Sequence, residues 1–97
     1  MNLSISIAVR EKLANKTPPV TESEIIQCFA NRNRSDLLDV RADNRTNPIT
    51  RWFIAETDFW RKLKVAYMPF TERIEIKSAY DPNLEELRIY NKISLPK

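Results

Sequence analysis

Apolar and polar positions alternate along residues 61–68, with Leu63, Val65 and Tyr67 on one parity and Lys62, Lys64 and Ala66 on the other. A period of two predicts a strand with one covered and one open face, the open one carrying cations. Arg51-Trp-Phe-Ile-Ala-Glu-Thr57, just before it, is apolar on both parities, Trp52 and Ile54 against Phe53 and Ala55. That strand is expected inside the sheet, covered on both sides. Leu37-Leu-Asp-Val-Arg41 and Arg73-Ile-Glu-Ile-Lys-Ser-Ala-Tyr80 also read as strands, and four consecutive strands with short links predict an antiparallel meander. The link from Arg41 to Arg51, rich in Asn and Asp and containing Pro48, is expected to be a mobile surface loop.

Helical spacing frames the sheet. Ile5, Val9 and Leu13, four apart over residues 5–15, predict a short amphipathic helix capped by Ser4 or Ser6, although Leu3-Ser-Ile5-Ser-Ile7 also fits a strand. Thr17-Pro-Pro19 breaks it. Thr21-Glu-Ser-Glu24 is a capping box that predicts a second helix from 22 to about 30. Its buried stripe is expected to be Ile25, Ile26, Cys28 and Phe29, with Asn31 ending it in the left-handed conformation. Asp81-Pro82 predicts a third helix start, with Asp81 as cap, and Leu84, Leu87 and Tyr90 share one face of that helix. The tail from Ile93 to Lys97 is expected to be frayed or partner-dependent. The predicted fold is α+β: two N-terminal helices, a curved four-stranded antiparallel sheet and a C-terminal helix, in a single domain spanning 1–97.

Composition narrows the chemistry. Ninety-seven residues bury only about 60–65% of their unfolded surface, enough for one two-layer core. No apolar run approaches the roughly 20 residues that span a bilayer and no signal-peptide pattern opens the chain, so a cytoplasmic protein without membrane contact is expected. A net charge of +3 matters only if the cations cluster. The chain has no glycine, which excludes Gly-dependent phosphate loops; positive backbone φ is expected at Asn31, Asn33, Asp43-Asn44, Asn47 or Asn83. With no histidine and the lone Cys28 expected in the core, no metal site and no cofactor are expected.

Cations on a rigid sheet point to recognition, or recognition with cleavage, of a phosphodiester backbone. RNA cleavage through the ribose 2′-hydroxyl needs a base, a cation at the phosphate and an acid for the leaving oxygen, roles that Lys, Asp, Glu and Tyr must fill here. Lys62 and Lys64, two residues apart on one face, suit contacts to one or adjacent phosphates, or else form a solvated face. Arg41 and Arg45 flank the loop and either close over the same place or pair with Asp39 and Asp43. Tyr80 is a proton-transfer candidate if a neighbouring cation lowers its pKa, or a half-buried ring covering the sheet. Arg61 and Lys77 join Lys62 and Lys64 as candidate RNA contacts. Trp52, Phe59, Trp60 and Tyr67 are interleaved with the basic run and offer base stacking; core packing explains Trp52 and Tyr67 better, while Phe59 and Trp60, in the turn, signal a partner.

The order of these elements resembles the BrnT-like branch of the RelE/ParE toxin superfamily, the toxin halves of bacterial type II toxin–antitoxin pairs. The resemblance covers most of the chain and rests on the two N-terminal helices, Leu38-Asp-Val-Arg41 with Arg45, Lys64-Val65-Ala-Tyr67, and Ile76-Lys-Ser78-Ala79 followed by Glu86 and Tyr90. It implies a RelE-like fold, metal-independent cleavage of RNA, with or without the ribosome, that arrests translation, and a DNA-binding antitoxin as partner. It implies Arg41, Arg45, Lys62, Lys64 and position 80 as the catalytic set. The family commonly has Arg where this chain has Tyr80, and His-Gly where it has Thr17-Pro-Pro19. Two other readings stay open: a toxin of this fold that inhibits a protein such as a topoisomerase, and a non-catalytic module that binds nucleic acid or a partner protein.

Overall fold

The computed structural model describes residues 2–40 and 46–96. Its elements are β1 (Leu3–Ser4), α1 (Ile7–Ala14), α2 (Glu22–Ala30), β2 (Leu37–Leu38), β3 (Arg51–Glu56), β4 (Lys62–Pro69), β5 (Ile74–Tyr80) and α3 (Leu84–Ile93). The fold is α+β, with a five-stranded mixed sheet in the order β1-β5-β4-β3-β2. Three pairings are the antiparallel meander expected, and β1 adds a fifth strand parallel to β5 through Leu3↔Ile74 and Ser4↔Glu75. The alternation at the N-terminus therefore holds for two residues, after which Ser6 caps α1 by accepting from the Val9 amide at 3.2 Å.

Sidedness comes from the pleat. Phe53 and Ala55 of β3, Leu63, Val65 and Tyr67 of β4, and Ile76 and Ala79 of β5 are buried, and Ile25, Cys28 and Phe29 of α2 and Leu13 of α1 pack with them. Phe29 meets the Phe53 and Tyr67 rings edge-on at 4.8 and 5.2 Å. Ile76 and Ala79 are three apart, a spacing a regular strand would send to opposite faces. A bulge reconciles them: Ala66 pairs with Ser78 and Tyr67 with Ile76, leaving Lys77 as the extra residue. Burial and the neighbouring Glu24 push the Cys28 thiol up to about 12, so it behaves as a core residue. Ile26, expected in the buried stripe, is instead exposed.

The caps decide where helices start. The Thr21–Glu24 box forms as expected, with Glu24 N to Thr21 Oγ1 at 3.1 Å and Thr21 N to Glu24 Oε1 at 3.0 Å. α3 starts two residues later than Asp81-Pro82 suggests, because Asn83 and Glu86 make a second box: Glu86 N to Asn83 Oδ1 at 2.8 Å, Asn83 N to Glu86 Oε1 at 3.0 Å. Asp81 is drawn away to Arg61, whose Nε donates to Oδ1 at 2.8 Å. Asn83→Ala is expected to cost about 1 kcal/mol, read as a lowered unfolding midpoint in urea.

Asn31 ends α2 with φ −92°, outside the left-handed region, and its amide donates to the Glu56 carbonyl and Asp58 Oδ1, both at 2.9 Å. Among the described residues the positive φ falls on none of the expected asparagines but on Trp60, at 68°. Asp43-Asn44 lie outside the described residues, as do Arg41, Arg45 and most of the expected surface loop's first half. Of the strand expected over Leu37–Arg41, two residues pair as β2.

Candidate functional site

Residues Lys62, Lys64 and Ala66 share the sheet face opposite α1 and α2, and their register partners Glu56, Ile54 and Trp52 share it with them. This face is not open as expected. α3 lies across it, with Tyr90 buried and its ring 5.6 Å from that of Trp52. Lys64 is consequently only 13% exposed, an unusual position for a lysine unless it is paired.

The pairing is a three-residue cluster. Glu86 Oε2 accepts from Lys64 Nζ at 2.9 Å and from the Tyr80 hydroxyl at 2.5 Å, while Oε1 accepts the Asn83 amide. Lys64 and Tyr80 are brought together because they are register partners on adjacent antiparallel strands. Glu86 arrives from the helix, third residue of its first turn, so the reciprocal cap that starts α3 also aims the carboxylate. Lys64 Nζ also lies 4.5 Å from the Trp52 ring centroid and 5.6 Å from that of Tyr80, whose other approach is taken by Lys16 at 5.4 Å.

Electrostatics assign the protons. Burial pushes the Glu86 carboxyl up, but the hydrogen bonds from Tyr80, the Asn83 amide and Lys64 outweigh it, and the pKa falls below the usual glutamate value. Tyr80 moves the other way: burial and then its bond to Glu86 raise its pKa, against a smaller lowering by Lys64. The expected lowering of Tyr80 is thus overturned, since desolvation and a neighbouring carboxylate both penalise a phenolate. At neutral pH the cluster holds a carboxylate acceptor and a neutral phenol donor.

The cluster makes stability depend on pH. Because the folded pKa of Glu86 is below its unfolded value, its stabilisation is complete above the unfolded pKa, about 4.3, and is lost as pH falls through the lower folded value. Thermal unfolding of the wild type is expected to fall more steeply below about pH 4 than that of Glu86→Gln; parallel curves would show that the cluster is not formed.

α3 also separates the two lysines. A cavity of about 460 Å³ is lined by Trp52, Lys64, Glu86, Ile89 and Ile93 together with Leu37–Val40 of β2 and its continuation. A second, of about 230 Å³, holds Lys62 with Glu56, Asn31, Leu87, Tyr90 and Asn91. At 100° per residue, Glu86, Ile89 and Ile93 fall on one flank of the helix and Leu87 and Asn91 on the other, with Tyr90 between them on the sheet. Lys62 and Lys64 therefore do not address one phosphate, and the exposed Lys62 stands apart from the cluster.

Other expected contacts are placed differently. Arg61, a candidate RNA ligand, has its fork filled: Nε and Nη2 donate to Asp81, Nη1 to the Pro19 carbonyl and to Glu24, and Nη2 to the Pro18 carbonyl. It is a clamp between the start of α2, the 17–19 segment and the end of β5. Lys77 is exposed at the bulge and lines neither cavity. Tyr67 packs in the core with its hydroxyl on Asp36, and its pKa is raised to about 12, first by burial. Glu86 is the residue that pattern reading missed as chemistry; its signal was the Asn83-x-x-Glu86 spacing, visible once the helix start is moved from Asp81.

Among the described residues no group of three or more His, Cys, Asp or Glu side chains could hold a metal ion, and no helix is long and apolar enough to cross a membrane. Comparison of the chain with protein-family models, with curated proteins and with solved structures gives no match.

Proposed function

We propose that this chain is a RelE-like toxin of the BrnT-like branch, an endoribonuclease that arrests translation and is silenced by a DNA-binding antitoxin. One observation carries the reading: a single carboxylate oxygen, Glu86 Oε2, receives both an ammonium and a neutral phenol beside a cavity wide enough for a nucleotide. These are the base, the cation and the acid that cleavage through the 2′-hydroxyl requires.

In this reading Glu86 takes the proton of the ribose 2′-hydroxyl as that oxygen attacks phosphorus. Lys64 stabilises the charge that gathers on the pentacovalent phosphate. Tyr80 gives its proton to the departing 5′-oxygen as the phosphorus–oxygen bond breaks, leaving a 2′,3′-cyclic phosphate and a 5′-hydroxyl. The hydrogen bond between Tyr80 and Glu86 then returns the proton from carboxyl to phenolate, restoring both groups. Trp52, next to Lys64, offers a ring against which a base can stack.

The lysines test the reading in an induced bacterial host, with growth and total RNA followed together. Lys64→Ala is expected to abolish arrest and RNA fragmentation, whereas Lys62→Ala leaves both within a few-fold of wild type. Fragmentation that survives in Lys64→Ala removes the assignment. The apolar walls of the larger cavity favour one other reading, a toxin of this fold that grips a protein target such as a topoisomerase; arrest with intact RNA in the wild type selects it. Binding without arrest selects the non-catalytic module.

A further inference from the structure

The smaller cavity carries polar groups that the cluster across α3 does not use. Its volume, about 230 Å³, is below the roughly 300–1,000 Å³ of pockets that enclose a drug-sized ligand, so it suits one planar ring system rather than a whole nucleotide. Three pieces of the chain wall it. The ends of β3 and β4 contribute Ile54, Glu56 and Lys62 from one sheet face, α3 contributes Leu87 and Asn91, and the segment after α2 contributes Arg34. These walls are tied to one another. Asn31 donates to the Glu56 carbonyl and to Asp58 Oδ1, both at 2.9 Å, which fixes the end of α2 against the end of β3. Arg34 Nε donates to Ser94 Oγ at 2.6 Å, and Nη2 donates to the Ser94 and Asn91 carbonyls at 2.6 and 3.2 Å, which fixes the same segment to the end of α3. A slot framed in this way is preorganised, and filling it costs less ordering entropy.

The charges that line the slot are held in place but unspent. Among the described residues, every proton of Arg34 Nε and Nη2 has an acceptor, whereas Nη1 has none and the guanidinium has no carboxylate partner. Glu56 and Lys62 are register partners on one face, yet among the described residues neither side chain makes an ion pair or a hydrogen bond. Arg34 and Glu56 line the same pocket from different walls without meeting. A ligand that bridges them must present an acceptor to the cations and a donor to the carboxylate, on a flat body that packs against Ile54 and Leu87.

We infer that this pocket binds a guanine base. Glu56 accepts from N1–H and the N2 amino group, Arg34 Nη1 and Lys62 donate to O6 and N7, and the ring lies between Ile54 and Leu87. The other bases fit this set of groups less well. Adenine inverts both edges, setting its amino group against the cations and a lone pair against the carboxylate. Uracil offers one N–H between two acceptors, and cytosine offers the carboxylate one donor group where guanine offers two. Two cations against one carboxylate also leave the pocket a positive charge for the phosphate that follows the base. Cuts placed near a guanine are the expected consequence for RNA cleavage, and only this consequence rests on the proposed function.

Amide shifts of the isotope-labelled full chain, titrated separately with GMP, AMP, CMP and UMP, test the inference without any cleavage. The expected result is a dissociation constant for GMP of about 0.1–1 mM, with shifts centred on Asn33, Arg34 and Asn91, and binding of the other three weaker by about tenfold or more. Glu56→Gln is expected to stay folded, since its side chain has no partner to lose, and to abolish the preference for GMP; Lys62→Ala is expected to weaken GMP a few-fold. Arg34 is left intact because it also ties down the end of α3. A 2′-deoxy trinucleotide with a central guanine separates the two sources of the base: tighter binding than GMP supports the inference with a nucleic-acid strand as the source, and equal or weaker binding supports it with the free nucleotide. No shift with GMP up to about 10 mM, equal binding of another mononucleotide, shifts confined to the larger cavity, or an unchanged preference in Glu56→Gln overturns the inference. GMP binding by a chain that leaves RNA intact fails the ribonuclease reading alone.

Discussion

Glu86→Gln is expected to lower RNA cleavage by about 10²–10⁴-fold, the usual contribution of a positioned general base. The substitution removes the proton acceptor while the helix start can be kept. A Gln at the third position of a helix still closes a capping box, so the Asn83 amide keeps its acceptor. Its NH2 then stands where Oε2 accepted from Lys64 and Tyr80, so those two donors lose their acceptor and the stability cost is expected to be about 1–3 kcal/mol, visible as a lowered urea midpoint. Growth arrest and RNA fragmentation in the induced host measure the first effect and circular dichroism the second. Lost cleavage in a folded variant supports a catalytic carboxylate. Full cleavage would reduce the cluster to a latch that ties α3 to the sheet.

Arg61→Gln is expected to be the most destabilising of the polar substitutions, by about 2–3 kcal/mol, lowering the melting temperature by about 10–20 °C in a chain of this size. The guanidinium is 17% exposed and joins two carboxylates to the carbonyls of Pro18 and Pro19; its removal takes this donor from Asp81 and both carbonyls, while Glu24 keeps the Thr21 amide. The loss is no larger because Asp81 is half in water, where a broken ion pair costs little. Arg61→Lys recovers little of it, since one ammonium cannot span the fork's three directions. Thermal melts check the size of the effect. A melt unchanged from wild type would return Arg61 to the free cations available to RNA.

The elements that local chemistry specifies were legible in the chain. Thr21-x-x-Glu24 marks a helix start because both capping bonds lie within four residues, and the period of two at 62–67 marks β4 because alternating burial is what a strand does. β1 was only half legible: two residues pairing with β5 across seventy positions leave almost no periodic trace. Lys64 misled in a different way. A cation on alternate positions normally faces solvent, and nothing near it in sequence shows that a helix twenty-two residues later delivers Glu86 to neutralise it. The same distance problem hid the partners of Arg61. The shift in Tyr80 ran against expectation because the cation that would lower its pKa sits beside a carboxylate and under a helix, and burial outweighs it.

Trp60 shows where side-chain preference alone fails. In a chain without glycine, asparagines are the cheapest residues for positive φ, yet the described fold places its left-handed residue at a tryptophan inside a turn fixed by Thr57, Gln27 and Arg61. The free energy that this backbone conformation costs is offset by the hydrogen bonds that Thr57 and Gln27 make to the turn.

End-group analysis of RNA from cells expressing the wild type and Glu86→Gln tests the central claim most directly, because attack by the 2′-hydroxyl leaves a 2′,3′-cyclic phosphate and a 5′-hydroxyl and, in the proposed mechanism, depends on Glu86 as base. Fragments ending in 2′,3′-cyclic phosphate and 5′-hydroxyl, present with the wild type and absent with the variant, are the predicted result. Intact RNA during growth arrest by the wild type, or the same fragments from Glu86→Gln, would contradict it.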